Sequence, residues 1–152
     1  MNKFYLFFTY IFGIFTKPKK ELKVSPIVRP CATDKNMKLY EVVESFTVEH
    51  LYVPKNTKTD GASIPSLFWQ IIGHPFSPPF VAYAIGHDYL YQRAIKVYKK
   101  DYKEAMHDFM IADRWLYGAM RQQNRKIVAW LFFISVRAYS LVKFGIFKRV
   151  FR

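Results

Sequence analysis

One row of side chains in residues 102–122 constrains the fold more than any other feature of this sequence. Five residues follow one another at helical steps of three and four and share one face: Met106, Phe109, Asp113, Leu116 and Met120. Four of the five are apolar, so this face is expected to pack on a core. Asp113 is therefore predicted to point inward, where a lone carboxylate costs several kcal/mol unless a cation or several donors meet it.

The preceding helix, predicted over residues 80–94, repeats the pattern with a second carboxylate among aliphatic neighbours. Its row is Val81, Ala84, Ile85, Asp88 and Ile95. Two aspartates that face one interior repel each other unless a positive group lies between them. The candidates for that group are a divalent metal ion, a protonated His87, Arg93 and Arg114.

Residues 39–53 form the best strand region. Apolar and aromatic side chains there alternate with their neighbours in steps of two, at Phe46, Val48, His50 and Tyr52. Ser63 is well placed to cap a short helix that begins near residue 65. The predicted fold class is α+β, a small antiparallel strand ribbon followed by three to four packed helices.

The final helix, predicted over residues 127–142, is apolar on nearly every side and is interrupted by Arg137. A soluble core helix would show a cleaner polar face, whereas a helix that spans a bilayer would tolerate Arg137 poorly. We therefore interpret it as a core helix with an exposed edge that contacts lipid or a partner. Trp69, Trp115 and Trp130 are assigned to packing.

The chain of 152 residues has the length of one domain. We expect residues 1–24 to be an aromatic, lysine-flanked extension and residues 25–152 to be a single α+β domain. Cys31 is the only cysteine, so an internal disulfide is excluded.

Twenty-four Lys and Arg residues against eleven Asp and Glu residues give a net charge of +13, which favours a polyanionic partner. The aromatic run at residues 4–15 is too short to cross a bilayer as a helix. It is expected either to pack on the body or to lie on an anionic membrane surface. Six residues would make that membrane contact: Phe4, Phe8, Phe12, Lys17, Lys19 and Lys20. Nucleic acid is a less favoured partner, because no phosphate loop, zinc-ligand spacing or helix-turn-helix pattern accompanies the charge.

Four residues have the side chains of an oxygen-rich divalent metal site: Asp60, His87, Asp88 and Asp113. They are the candidate catalytic and metal-ligating residues of a hydrolase in which a metal-bound water acts as the nucleophile. The alternative is a structural polar network that only holds the helices together.

Three blocks in order, TDGASIP at 59–65, HDYLY at 87–91 and ADR at 112–114, resemble the signature of a family of small proteins of tailed phages and prophages. That family is known as domain of unknown function thirteen fifty-three, and the resemblance covers residues 46–139. It implies a phage or prophage origin and no established activity.

Together these features predict a phage-encoded accessory protein that acts in the infected host cell by binding a host or phage protein. We expect it in the host cytoplasm, at the inner membrane surface. The alternatives are a metal-dependent, phosphoesterase-like hydrolase and a tail-associated component of the virion, and whether the protein is an enzyme is left open.

Overall fold

A computed structural model of the chain describes residues 24–34, 37–60, 80–122 and 126–146. Residues 1–23 of the predicted extension and the short helix predicted after Ser63 lie outside these ranges. Within them the chain runs from two small antiparallel sheets into three α-helices, so the predicted α+β class is confirmed.

Five short strands form the two sheets: β1 Val28–Asp34, β2 Met37–Val42, β3 Phe46–Val48, β4 Leu51–Val53 and β5 Lys58–Thr59. The strands β1, β2 and β5 make one antiparallel sheet in that order, and β3 pairs with β4 in the other. The register of β1 on β2 shifts between Pro30 and Ala32. Proline has no N–H to donate to a neighbouring strand, so Pro30 fits at this irregular point of an edge strand.

The continuous strand predicted up to residue 53 is wrong, because the chain reverses between β3 and β4. Glu49 and His50 form a two-residue turn between Val48 and Leu51, which are paired across the hairpin. Their φ angles are 42° and 65°, and this left-handed backbone is what a tight two-residue hairpin turn requires. The alternating pattern continued through the turn because neither residue is the Gly or Asn that usually marks one.

Three helices follow: α1 Phe80–Tyr98, α2 Tyr102–Gln122 and α3 Lys126–Ser140. The bounds predicted for α2 are confirmed, and α1 extends four residues beyond its predicted end at residue 94. The last helix continues into a π-helical segment, Leu141–Ile146.

The two halves of α1 have different surroundings. Residues 80–87 are all buried, since one side of the helix packs on the strands and the other on α2. Beyond residue 87, Tyr91 and Ala94 stay buried against α2, whereas Ile95 is 44 % exposed. The inward position predicted for Ile95 is therefore wrong, because the strands that cover this side of α1 end before that position.

The helices α1 and α2 approach closely at Gly86. A Cβ atom on Gly86 would lie 2.5 Å from the ring atom Cη2 of Trp115 and 3.2 Å from Leu51 Cδ2. Trp115 also meets Tyr83 edge to face. The role in packing predicted for Trp115 is thus confirmed, and only a glycine leaves room for its ring.

Candidate functional site

The carboxylate of Asp113 lies fully buried where the three helices meet. Two side chains of α1 reach its Oδ1 atom: Tyr91 donates its hydroxyl at 2.7 Å, and His87 Nε2 lies at 3.0 Å. His87 is also buried, and its ring packs against the ring of Tyr91 with centroids 4.3 Å apart. The inward orientation predicted for Asp113 is confirmed.

The third helix supplies the cation. Arg137 NH1 lies 3.5 Å from Asp113 Oδ2, and Ser140 Oγ lies 3.5 Å from the same oxygen. Ser140 is fully buried, and its hydroxyl also bonds the Arg137 carbonyl at 3.0 Å. Arg93 and Arg114, the arginines considered from the sequence, are both exposed. The charge of Asp113 is therefore balanced by Arg137, in the last turn of α3. We call these five residues, His87, Tyr91, Asp113, Arg137 and Ser140, the Asp113 network.

The Tyr91 hydroxyl is held in its neutral form. Burial raises its pKa well above the ordinary value, and the charge of Asp113 and the bond to that carboxylate raise it further. Tyr91 is therefore a fixed donor to Asp113 at any physiological pH. With His87 on the same oxygen and Arg137 on the other, the buried carboxylate is satisfied on both sides, as a stabilising polar network requires.

Asp88 belongs to a different pair. Thr59 at the end of β5 donates its hydroxyl to Asp88 Oδ2 at 2.5 Å, and the side chain of Asp88 is half-buried. Burial raises the pKa of Asp88 well above its ordinary value of 3.8, and the nearby charge of Asp60 raises it further, against the lowering effect of the Thr59 bond. Asp88 thus faces the junction of α1 with the strands and not the interior shared with Asp113.

The four predicted metal ligands are divided into two pairs, His87 with Asp113 and Asp60 with Asp88. Consecutive residues of a helix point about 100° apart, so His87 and Asp88 leave α1 on different sides. Within the part of the chain that the structure describes, no three His, Cys, Asp or Glu side chains come together as a metal site would need. The predicted four-residue ligand set is therefore not assembled among these residues.

An exposed apolar surface runs along the outer side of α3. We call it the α3 face, and its members at steps of three, four and seven residues are Ile127, Trp130, Ile134 and Leu141. Trp130 is 55 % exposed, so its predicted role in packing is wrong. The helical span Lys126–Gly145 is long and apolar enough to cross a membrane by length and composition, a test that core helices of soluble proteins also pass.

Sequence reasoning missed four members of these contacts: Tyr91, Arg137 and Ser140 as partners of Asp113, and Thr59 as the partner of Asp88. A signal was available for Arg137 and Ser140. Arg137 is the one charge between Lys126 and Lys143, and Ser140 follows it by three residues on the same side of the helix. A lone cation in an apolar helix points to a buried carboxylate elsewhere.

The chain matches the family described as "Protein of unknown function (DUF1353)" over residues 37–136. It is also similar to two proteins of Sinorhizobium fredii (strain NBRC 101917 / NGR234). It is 51% identical to "Uncharacterized protein y4jT" over 37 residues, 24% of this chain and 11% of that protein. It is 36% identical to "Uncharacterized protein y4iH" over 58 residues, 38% of this chain and 24% of that protein. The matches thus span less than a quarter of each relative's length, and no solved structure matches the chain.

Proposed function

This chain belongs to the DUF1353 family of proteins of unknown function, and we propose that it is a phage-encoded accessory protein that binds the inner surface of the host membrane through the α3 face. The observation that carries the proposal is the exposure of large apolar side chains along one side of α3. Water-exposed apolar residues that form a continuous surface mark a site of contact with a partner or a membrane. The phage origin rests on the three sequence blocks and on no structural feature.

The sign of the charge favours a membrane over an apolar protein groove. No Asp or Glu follows Asp113 in the chain, whereas nine Lys and Arg residues do: Arg114, Arg121, Arg125, Lys126, Arg137, Lys143, Lys148, Arg149 and Arg152. An apolar helix face with cations and without acids suits the boundary between acyl chains and anionic headgroups.

In this proposal the Asp113 network is a brace. It ties α3 to α1 and α2 through polar bonds on the buried side of α3, and so it holds the apolar residues on the opposite side toward solvent. Buried, satisfied polar networks specify one arrangement of packed helices, which is the structural role considered for these carboxylates from the sequence.

Co-sedimentation of the purified full chain with lipid vesicles tests the proposal. The variant Trp130→Ser/Ile134→Ser removes two side chains of the α3 face, which are 55 % and 43 % exposed and so contribute little to the core. Burying a large apolar side chain contributes about 1.5–3 kcal/mol when complete, so we expect at least about tenfold weaker binding even if each is half inserted.

The matched control is Ile27→Ser/Tyr52→Ser, which removes one isoleucine and one aromatic ring of similar exposure, 57 % and 58 %, from the strand region. Its binding should equal that of the parent chain. Equal binding by both double variants would overturn the proposal. In that case Phe4→Ser/Phe8→Ser/Phe12→Ser would identify the N-terminal segment as the membrane contact.

A metal-dependent hydrolase is the second candidate, and one observation favours it. Burial raises the pKa of Asp88 and the charge of Asp60 raises it further, and a divalent cation between the two carboxylates would relieve that repulsion. This alternative predicts a stoichiometric divalent metal in the purified protein that is lost in Asp88→Asn. Elemental analysis without metal would remove it.

A further inference from the structure

We infer that the membrane bound by the α3 face is anionic and that lysines at the turn between α1 and α2 contact its phosphate groups. This inference rests on the proposed function and names the lipid class that it requires. The lysine cluster consists of Lys96, Lys99, Lys100 and Lys103, at the end of α1, in the turn and in the first turn of α2, together with Lys143 in the π-helical segment.

All five lysines of the cluster are exposed. In the part of the chain that the structure describes, Glu41 pairs with Arg29, and Asp113 pairs with Arg137 and the His87 ring; none of these lysines joins an ion pair. The nearest acid in sequence, Asp101, accepts the backbone N–H of Glu104 at 2.9 Å and so caps the start of α2. The four lysines at the turn, Lys96, Lys99, Lys100 and Lys103, therefore keep their ammonium groups available to an external anion.

The lysine cluster adjoins the end of the α3 face. The Tyr98 hydroxyl donates to the Phe144 carbonyl at 3.0 Å, which joins the turn to the end of the last helix. A Cβ on Gly145 would meet Met106 and Tyr102 in ordinary van der Waals contact. Lys143 bonds the Tyr139 hydroxyl and lies 5.5 Å from the centre of the Phe144 ring. Cations and exposed apolar side chains thus meet at one end of the helical region.

The lysine cluster together with the α3 face favours a bilayer over a nucleic acid as the partner. Phosphates of either polyanion would attract the lysines, but only a bilayer also accepts the side chains of the α3 face in its acyl region. Trp130 lies more than three helical turns from Lys143, so its ring is too far along α3 to stack on the bases of a nucleic acid held at the cluster.

The experiment compares vesicles of phosphatidylcholine alone with vesicles that contain about one third phosphatidylglycerol, with the full chain throughout. The test variant is Lys99→Gln/Lys100→Gln/Lys103→Gln. The matched control is Arg29→Gln/Lys55→Gln/Lys58→Gln, which removes the same charge from exposed positions in the strand region. Each lysine near an anionic surface contributes about fivefold to binding.

We expect the parent chain and the control to bind the anionic vesicles and the test variant to bind them about 100-fold more weakly. Binding by the parent should also fall as salt rises from about 0.05 to about 0.5 M, since salt screens exposed charges. Equal losses in the two triple variants, or equal binding to both vesicle compositions, would overturn the inference while leaving the α3 face as a membrane contact. Absence of binding to any vesicle would instead overturn the proposed function. A larger effect of the test variant on binding to duplex DNA than on binding to vesicles would assign the cluster to nucleic acid. That result would also overturn the inference.

Discussion

A methyl group placed on Gly86 measures how closely α1 and α2 approach. In Gly86→Ala the new Cβ would lie 2.5 Å from Trp115 Cη2 and 3.0 Å from Cζ3, whereas ordinary contacts begin near 3.4 Å. The ring must therefore retreat by about 0.9 Å, and Leu51 Cδ2 at 3.2 Å limits a compensating shift of α1. Overpacking of this kind costs about 1–3 kcal/mol, against about 1 kcal/mol gained when Ala replaces Gly inside a helix.

Gly118→Ala is the matched control, because Gly118 lies within α2 and a Cβ there would meet nothing within 4 Å. It should raise the free energy of unfolding by about 1 kcal/mol. The helix-propensity gain is common to both variants, so the difference between them isolates the packing cost of about 1–3 kcal/mol. Urea unfolding followed by circular dichroism provides both values.

Equal stability of the two alanine variants would refute the close approach of the helices. A double-mutant cycle sharpens the test, since Trp115→Leu removes the ring atoms that the new methyl group meets. In that background Gly86→Ala should cost at least about 1 kcal/mol less than in the parent chain.

Three further predictions concern the buried charges and the hairpin. Arg137→Met should lower the free energy of unfolding by about 3–5 kcal/mol, because it leaves Asp113 buried without a cation; the exposed Arg121→Met should change it by less than about 0.5 kcal/mol, and urea unfolding measures both. Asp88→Asn should stabilise the chain at pH 7, with a gain that fades toward pH 4 in thermal unfolding. Because the pKa of Asp88 is raised in the folded state, the folded chain above pH 3.8 keeps a proton that the unfolded chain has released. The carboxyl group of Asp88 therefore costs stability as the pH rises from 3.8 through its raised pKa. His50→Gly should raise stability by about 1 kcal/mol in urea, because glycine adopts the φ of 65° without strain; an unchanged midpoint would contradict the turn geometry.

The helices could be predicted from the sequence more closely than the strands. The bounds of α2 follow from one apolar row and from Asp101, whose side chain caps its first turn. The hairpin at Glu49 and His50 could not be predicted from the residues, since the turn has neither the Gly nor the Asn that usually marks a two-residue hairpin. The pairing of β3 with β4 is decided by the buried Val48 and Val53, which pack under α1.

In the candidate site, the burial of Asp113 could be predicted from the sequence, whereas its partners could not. Helical period places Asp113 on a buried face, and that prediction is confirmed. Period alone does not say which distant helix lies opposite, so Arg137 could not be assigned as its partner. The same limit applies to Asp88, because the depth of that side chain depends on where the strands covering α1 end. Residue spacing shows which face of a helix is buried, but the element that packs on that face is set by the tertiary structure.

The polar bonds to Asp113 also determine which residues of α3 meet the outside. The buried side of α3 is otherwise apolar, with Val128 and Phe132 in contact with the core, and the hydrophobic effect is less directional than polar bonds are. Arg137 and Ser140 can both reach Asp113 in only one alignment. A slip of a single residue would turn the helix by about 100°, exchanging the residues presented to water for those now hidden. The buried charge of Asp113 therefore determines which side chains of α3 are exposed to solvent.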